Sequence, residues 1–451
     1  MEDILTGKKH LHFVGIGGAG MVALAEILHE EGYYITGSDN NESYNLEKVR
    51  SLGIPVMMGH AAENIGDADL VVHTAAVHAE NPELAEAKRR GIPIIERGPL
   101  LGVLSTRYTG CIAVAGTHGK TTTTSLITQT MVMAGVDPTA VIGGRLDFIG
   151  GNSRHGKSEF MVCEACEYVN SYHSIAPDYA VILNIDSDHL EFFKTIENLI
   201  ASFRKFADSS SRYVIYNGDD ERTCKAVEGL NKEFVTFGLS TQNDYSAQNI
   251  TVTEEKRTAF DVFFRGEKID RVTLHIPGQH NVLNALACYA VCRTAAMETD
   301  DIRRGIEAFC GAHRRFELLG VRKGVSIYDD YAHHPAEIAA TLKAAKEMPF
   351  RHVWAVFQPF TFSRTYMLLE DFVAALQIAD HTVLAPIMGS REVNTYDIHS
   401  YQIADKIDGA VVLSTFREIA DYVCAKAQPG DMVITLGCGD IYKAANLMLA
   451  E

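Results

Sequence analysis

The stretch Gly116-Thr117-His118-Gly119-Lys120-Thr121-Thr122 constrains this chain more than any other. It follows an apolar run, Cys111 to Ala115, that predicts a short buried strand. It precedes a segment with Leu126, Ile127, Met131 and Ala134 on one face, which predicts a helix ending at Gly135. Strand, glycine turn and helix N-terminus in that order make a phosphate-binding loop. Glycine lets backbone N–H groups approach phosphate oxygens, lysine brings a positive charge to the β- and γ-phosphates, and a threonine hydroxyl can hold Mg²⁺. Gly116, Thr117, Gly119, Lys120, Thr121 and Thr122 are therefore the first candidate ATP-binding residues. The loop is shorter than G-x-x-x-x-G-K-[ST], which would need glycine at Val114. A Gly-Lys-Thr that merely opens a surface helix is the competing reading, and the strand–loop–helix order argues against it.

A second glycine loop lies near the N-terminus. The strand Leu11 to Val14 runs into Gly15-Ile16-Gly17-Gly18-Ala19-Gly20, and Met21, Leu24, Ala25 and Leu28 then repeat at helical spacing up to Gly32. Gly15, Gly17 and Gly20 fit G-x-G-x-x-G, and Asp39 follows the next strand. That is the fingerprint of a dinucleotide-type diphosphate site. NAD and a UDP-sugar both satisfy it, because a helix N-terminus binds either pyrophosphate. Asp39 is either a ribose contact or a plain turn residue. Further alternation follows: strands at Leu70 to Thr74 and Ile92 to Glu96, with a helix at Pro82 to Arg90 between them.

After the phosphate loop, the glycines at 143–144 and 150–151 predict loop. The strand Phe160 to Cys163 ends in Glu164, with Glu167 in the same loop, and the strand Tyr179 to Ile185 ends in Asp186-Ser187-Asp188-His189. Ligands collect at the carboxyl ends of parallel strands, so Thr121, Glu164 and His189 are the candidate Mg²⁺ ligands. Residues 240–275 predict an antiparallel edge of the same domain, and His280 to Ala285 open a helix. From 311 onward α/β alternation resumes, and polar residues again bunch after strands: Asp329 to Pro335, Gln358 to Arg364, and Gly437-Cys438-Gly439-Asp440, which is either a second anion loop or a tight turn. The fold class is α/β, in three domains: 1–105, 106–310 and 311–451.

With 451 residues and 47% hydrophobic content, a large core needs no covalent staples. A formal net charge of −17 argues against nucleic-acid binding and against docking on anionic lipid. Nine cysteines without regular spacing, Cys163-x-x-Cys166 included, predict free thiols. Met1 to His10 lacks an apolar signal core, and no apolar run is long enough to span a bilayer. The expected location is cytoplasmic.

Together, the two glycine loops, Glu164 with Glu167, Asn184 to His189, His280 to Asn284, Arg314-Arg315-Phe316-Glu317, Asp330-Tyr331-Ala332-His333-His334-Pro335 and Phe357-Gln358-Pro359 resemble the Mur ligase family over essentially the whole chain. The resemblance implies a Rossmann-like UDP-sugar domain, a central P-loop ATPase-type domain and a C-terminal Rossmann-like domain with amino-acid and ATP contacts. It implies ATP-dependent attachment of L-alanine to the lactyl carboxylate of UDP-N-acetylmuramate through an acyl phosphate, with ATP and Mg²⁺ required. The protein would be a monomer or weak homodimer. The resemblance assigns Gly15, Gly17, Gly18, Gly20, Asp39, His73 and Thr74 to the UDP-sugar, and Asn281, Asn284, Arg315 and Asp330 to ATP. It assigns Lys120, His333 and Arg364 to catalysis, with His334 an alternative to His333. Departures stand at Cys166 and Tyr168-Val169-Asn170 in the acidic loop, at Phe360 and Thr361 where members carry His-Arg or His-Thr, and at His73-Thr74-Ala75-Ala76 in place of a serine pair. The missing base at Phe360 leaves Arg364 to carry that role. Attachment of a murein tripeptide, an NAD-dependent oxidoreductase and a non-catalytic nucleotide-binding regulator are the alternatives.

Overall fold

The computed structural model describes residues 4–74, 77–253, 257–390 and 392–450, with side chains except at Leu190 and Glu191. Ala75, Ala76 and the first three residues, on which two of the readings above partly rest, lie outside the described residues. The described residues form three sheets, one per domain of a three-domain α/β fold. They group into two compact units, the first carrying the first two sheets and the second carrying the third with the chain from Cys310 on.

The N-terminal sheet has five parallel strands in the order Val56–Met58, Tyr34–Asp39, His10–Val14, Leu70–His73, Ile94–Glu96. His10–Val14 is buried along its whole length, as expected of a central parallel strand covered on both faces. The chain leaves it to one side first and returns to the other, so its carboxyl end is the switch point where a ligand crevice forms. The helix Ala19–Glu30 starts there and buries Met21, Val22, Leu24, Ile27 and Leu28, each large side chain contributing roughly 1.5–3 kcal/mol.

The central sheet places Gly110–Ala115 between Tyr179–Ile182 and Phe160–Glu164, all parallel. Its phosphate loop again sits at a switch point. Two expectations need correction here. The glycine-rich stretch is no loop: Thr139–Leu146 and Gly151–Arg154 pair as an antiparallel hairpin at the sheet edge. Gly143 lies in the first of these strands because the Glu164 carboxylate approaches its backbone so closely that a Cβ would collide. At the other edge, Tyr245–Val252, Thr258–Phe264 and Glu267–Leu274 extend the sheet, but the first of them joins Glu233–Gly238 in parallel. The hairpin also braces the first domain, with Asn152 Nδ2 donating to Ala19 O at 2.7 Å.

The third sheet runs Glu317–Arg322, Val325–Asp330, Met432–Leu436, Val353–Phe357, His381–Leu384, Val411–Val412. Its first strand, which the sequence reading passed over, is an antiparallel edge with mostly half-buried residues. Each of the nine cysteines is a thiol rather than half of a disulfide.

Candidate active site

The phosphate loop is built as its sequence demands. Gly116 (φ +144) and Gly119 (φ +87) take backbone angles that only glycine adopts readily. A Cβ on Gly116 would lie 2.9 Å from Leu183 Cβ, and one on Gly119 would lie 2.5 Å from Asn284 Oδ1. The loop is pinned to the end of the neighbouring strand. Thr117 N donates to Asn184 O at 3.0 Å, His118 N donates to Asn184 Oδ1 at 2.8 Å, and Asn184 Nδ2 returns a bond to His118 O at 3.0 Å. Asn284 supports it from the other side, accepting from Thr123 Oγ1 at 3.2 Å.

Lys120 opens the helix Lys120–Met133 with its ammonium folded back into the loop. Nζ donates to Gly116 O, to Thr117 O at 3.0 Å and to Glu167 Oε1 at 3.0 Å. Burial works to lower the Lys120 pKa, but Glu167, with Cys166 and Glu164, outweighs it and holds the ammonium above its ordinary value. Lys120 is therefore a fixed positive charge.

Glu164 sits opposite Val114 in the sheet, beside the phosphate loop, and accepts from Gly143 N at 2.6 Å. His189 takes φ +55, and its ring lies 4.9 Å from that of Tyr168. Among the described residues no three His, Cys, Asp or Glu side chains gather as a metal site. A site here would draw instead on the Thr121 hydroxyl and the Glu164 carboxylate, the hard oxygen donors that suit Mg²⁺, with His189 as a nitrogen donor. Beside the loop a cavity of about 320 Å³ is lined by His118, Asn184, Ile185, Asp186, Asp220, Glu221 and Arg222. The His118 ring, its Nε2 3.7 Å from Asp186 Oδ2, then the Ser187 N–H and Arg222, hold the Asp186 carboxyl well below the usual range against the effect of burial.

In the N-terminal domain, Gly15 (φ +81) and Ile16 donate to Ser38 O at 2.8 and 3.0 Å. Gly17 N donates to Asp39 Oδ2 at 2.9 Å, while Asp39 Oδ1 accepts from Asn41 N at 3.1 Å. Asp39 is thus more than a plain turn residue: it buckles the glycine loop. Gly18 caps the helix without a side-chain bond. Thr74 packs against Gly15, and His73 Nδ1 lies 3.1 Å from Thr74 O. Arg97, which the sequence reading missed, lies over the start of the helix, its Nη1 2.9 Å from where a Gly20 Cβ would stand. Its signal was its place: a basic residue directly after the strand Ile94–Glu96.

In the C-terminal domain, Asp330 is buried and accepts from Ala332 N at 2.7 Å and Phe316 N at 2.8 Å. Burial pushes its pKa up to about 6 against the pull of Arg315. Arg315 lies over the Tyr331 ring at 5.1 Å. His334 is used as the N-cap of the helix Pro335–Glu347, accepting from Ala336 N at 3.4 Å, which leaves His333 the better base candidate. His333 Nδ1 lies 3.1 Å from Tyr331 O and 3.4 Å from Glu337 Oε2. The stretch Gly437 to Asp440 turns two N–H groups inward, Gly437 N donating to Asp330 O at 3.1 Å and Asp440 N to Gln358 Oε1 at 3.0 Å, so they are not offered to an anion; the Gly437 and Gly439 carbonyls accept from Arg314 at 2.6 and 3.1 Å. Arg364 stands on the short helix Phe362–Met367, close enough to Cys438 for its charge to oppose the effect of burial, which pushes that thiol up to about 12. Asn281, at the start of the helix Gln279–Thr294, donates to Pro277 O at 2.6 Å.

Three family models match the chain in order: the Mur ligase family catalytic domain over 10–109, the Mur ligase middle domain over 114–292, and the Mur ligase glutamate ligase domain over 314–439. A UDP-N-acetylmuramate–L-alanine ligase of Caldanaerobacter subterraneus subsp. tengcongensis is 45% identical across 100% of this chain and 99% of its own. The crystal structure of UDP-N-acetylmuramate-alanine ligase MurC from Thermotoga maritima superposes with a TM-score of 0.85 at 29% identity, covering 98% of each chain. A murein peptide ligase from Psychrobacter arcticus shares the fold at a TM-score of 0.76 and 24% identity, again covering 98% of each chain.

Proposed function

The chain belongs to the Mur ligase family, and from that membership we propose that it joins L-alanine to the lactyl carboxylate of UDP-N-acetylmuramate, consuming ATP and giving ADP and phosphate in peptidoglycan precursor synthesis. The observation that carries this reading is 45% identity over the whole chain to a ligase of that name. The sugar carboxylate attacks the γ-phosphate of ATP and becomes an acyl phosphate. The amine of L-alanine then attacks that carbonyl, and phosphate leaves. A carboxylate approaching a polyanion needs charge neutralised and positions fixed, so the burden falls on electrostatics rather than on a protein nucleophile.

Lys120 supplies the fixed cation at the phosphates, and Gly116, Thr117, Gly119, Thr121 and Thr122 supply the cradle. Thr121, Glu164 and His189 would hold Mg²⁺, whose charge, when bound, offsets that of the phosphates. Asn281, Asn284, Arg315 and Asp330 are assigned to ATP on the family pattern; Asp330 serves it by ordering the backbone at Phe316 and Ala332. Gly15, Gly17, Gly18, Gly20, Asp39, His73 and Thr74 take the UDP-sugar, with Arg97 as a further cation for its pyrophosphate. His333 receives the amine proton, and Arg364 meets the alanine carboxylate. The domains divide near 105 and 310. No described helix is long and apolar enough to cross a membrane. A cytoplasmic location and a monomeric or weakly dimeric state belong to the same proposed reading.

ADP release by purified protein with Mg²⁺, assayed across candidate amino acids and with murein tripeptide in competition, tests the reading. Release that needs both the UDP-sugar and L-alanine supports it. A preference for tripeptide, or no release with any amino acid, overturns it. The NAD alternative is disfavoured by the Mur ligase match across all three domains and by the full-length ligase relative.

A further inference from the structure

We infer that Glu392 is a positioning residue for the amino-acid site, acting through Ser363 on Arg364; the inference rests on the ligase reading above. Glu392 Oε2 accepts from Ser363 N at 2.8 Å, and Oε1 accepts from Ser363 Oγ at 2.5 Å. Both oxygens thus grip one residue at the start of the helix Phe362–Met367, directly before Arg364. A short helix has little cooperative stability of its own. This one begins from Thr361 at φ +65, an angle a β-branched residue adopts only under constraint.

The surrounding contacts make the grip directional. Thr361 N donates to Met388 O at 2.9 Å, and Met388 N donates to Pro359 O at 2.9 Å. The Phe362 ring packs onto Gly389, where any Cβ would strike it. Glu392 N donates to Gly389 O at 2.9 Å, so Met388, Gly389 and Glu392 form a strap over 359–363. The strap's only charged hold on the helix, among the described residues, is the Glu392 carboxylate. With Phe360 and Thr361 neutral, Arg364 is the cation this segment offers to an amino-acid carboxylate. A bidentate charge-assisted grip one residue away sets where that cation points. Glu392 touches no substrate in this scheme and adds no step to the chemistry.

Steady-state kinetics of the full-length Glu392→Ala, Glu392→Gln and Ser363→Ala variants, each substrate varied in turn, test the clamp. Loss of two charge-assisted bonds is expected to raise the KM for L-alanine about tenfold or more in Glu392→Ala, with kcat at saturating alanine and both other KM values within about threefold. Ser363→Ala keeps the N–H donor and loses the hydroxyl, so a rise of about threefold is expected. Glu392→Gln keeps an acceptor and is expected to recover most of the loss. An unchanged alanine KM in both alanine variants overturns the clamp, as does a parallel rise of all three KM values or a fall confined to kcat. Wild-type protein that shows no alanine-dependent turnover overturns the ligase reading itself, which sets the two failures apart.

Discussion

The Lys120 ammonium lies 3.0 Å from each oxygen of the Glu167 carboxylate, inside the loop that is to receive phosphates. Glu167 is almost fully buried, so the pair is a resting state in which a carboxylate occupies the cation that ATP needs. On the proposed reading, nucleotide would exchange one anion for another at Lys120. Glu167→Gln therefore should tighten ADP binding in the absence of sugar, by roughly three- to tenfold, since the competing charge is gone. Lys120→Ala should cut alanine-dependent turnover by at least about 100-fold. Titration with a fluorescent nucleotide, alongside ADP release, reads both; weaker binding in Glu167→Gln would refute the exchange.

Asp330 predicts a pH dependence of stability. Its carboxyl is raised from an ordinary 3.8 to about 6 by burial, with Arg315 opposing. Below about pH 4 both folded and unfolded states hold the proton. Between about 4 and 6 only the folded state holds it, so stability falls as pH rises through that window and stays reduced above it, by roughly 3 kcal/mol. Asp330→Asn should flatten that part of the curve. Thermal midpoints at half-unit pH steps would show it; an unchanged slope would mean Asp330 is ionised throughout.

The phosphate loop was legible because backbone angles near Gly116 and Gly119 exclude other residues, and the strand and helix on either side follow from plain periodicity. The stretch Thr139 to Arg154 misled because one of its glycines, Gly143, marks a close approach of the Glu164 carboxylate, which no local pattern encodes. Asp39 was visible as a position but not as a role, since its partner Gly17 lies 22 residues back, before the helix Ala19–Glu30. Glu392 carried no signal at all: it sits in a coil, and its partner Ser363 is 29 residues away. Residues whose chemistry is local announce themselves, and residues that act by holding others do not.

That role for Asp39 is itself testable. Asp39→Ala removes the acceptor from Gly17 N and leaves the N–H groups of the loop less ordered. The KM for the UDP-sugar should rise about tenfold, with the KM for ATP unchanged. NADH fluorescence should show no binding to either protein. If Asp39 instead served a ribose of NAD, wild type would bind NADH and the variant would lose it.

Gly119 separates backbone strain from side-chain collision. Gly119→Ala forces a Cβ into φ +87 and sets it 2.5 Å from Asn284 Oδ1. The first cost, about 1–2 kcal/mol, belongs to the backbone and no neighbour can relieve it. The second is a collision that the amide can escape only by abandoning Thr123 Oγ1. Gly119→Ala should therefore lower the thermal midpoint and abolish measurable nucleotide binding. Adding Asn284→Ala opens space for the new methyl, so the double variant should regain part of the lost midpoint but little of the binding, because the loop N–H groups remain misdirected and the amide assigned to ATP is gone. The two substitutions should be non-additive in stability, as expected for residues in direct contact. Full recovery of nucleotide binding in the double variant would show that collision, not the left-handed angle, is what glycine avoids here.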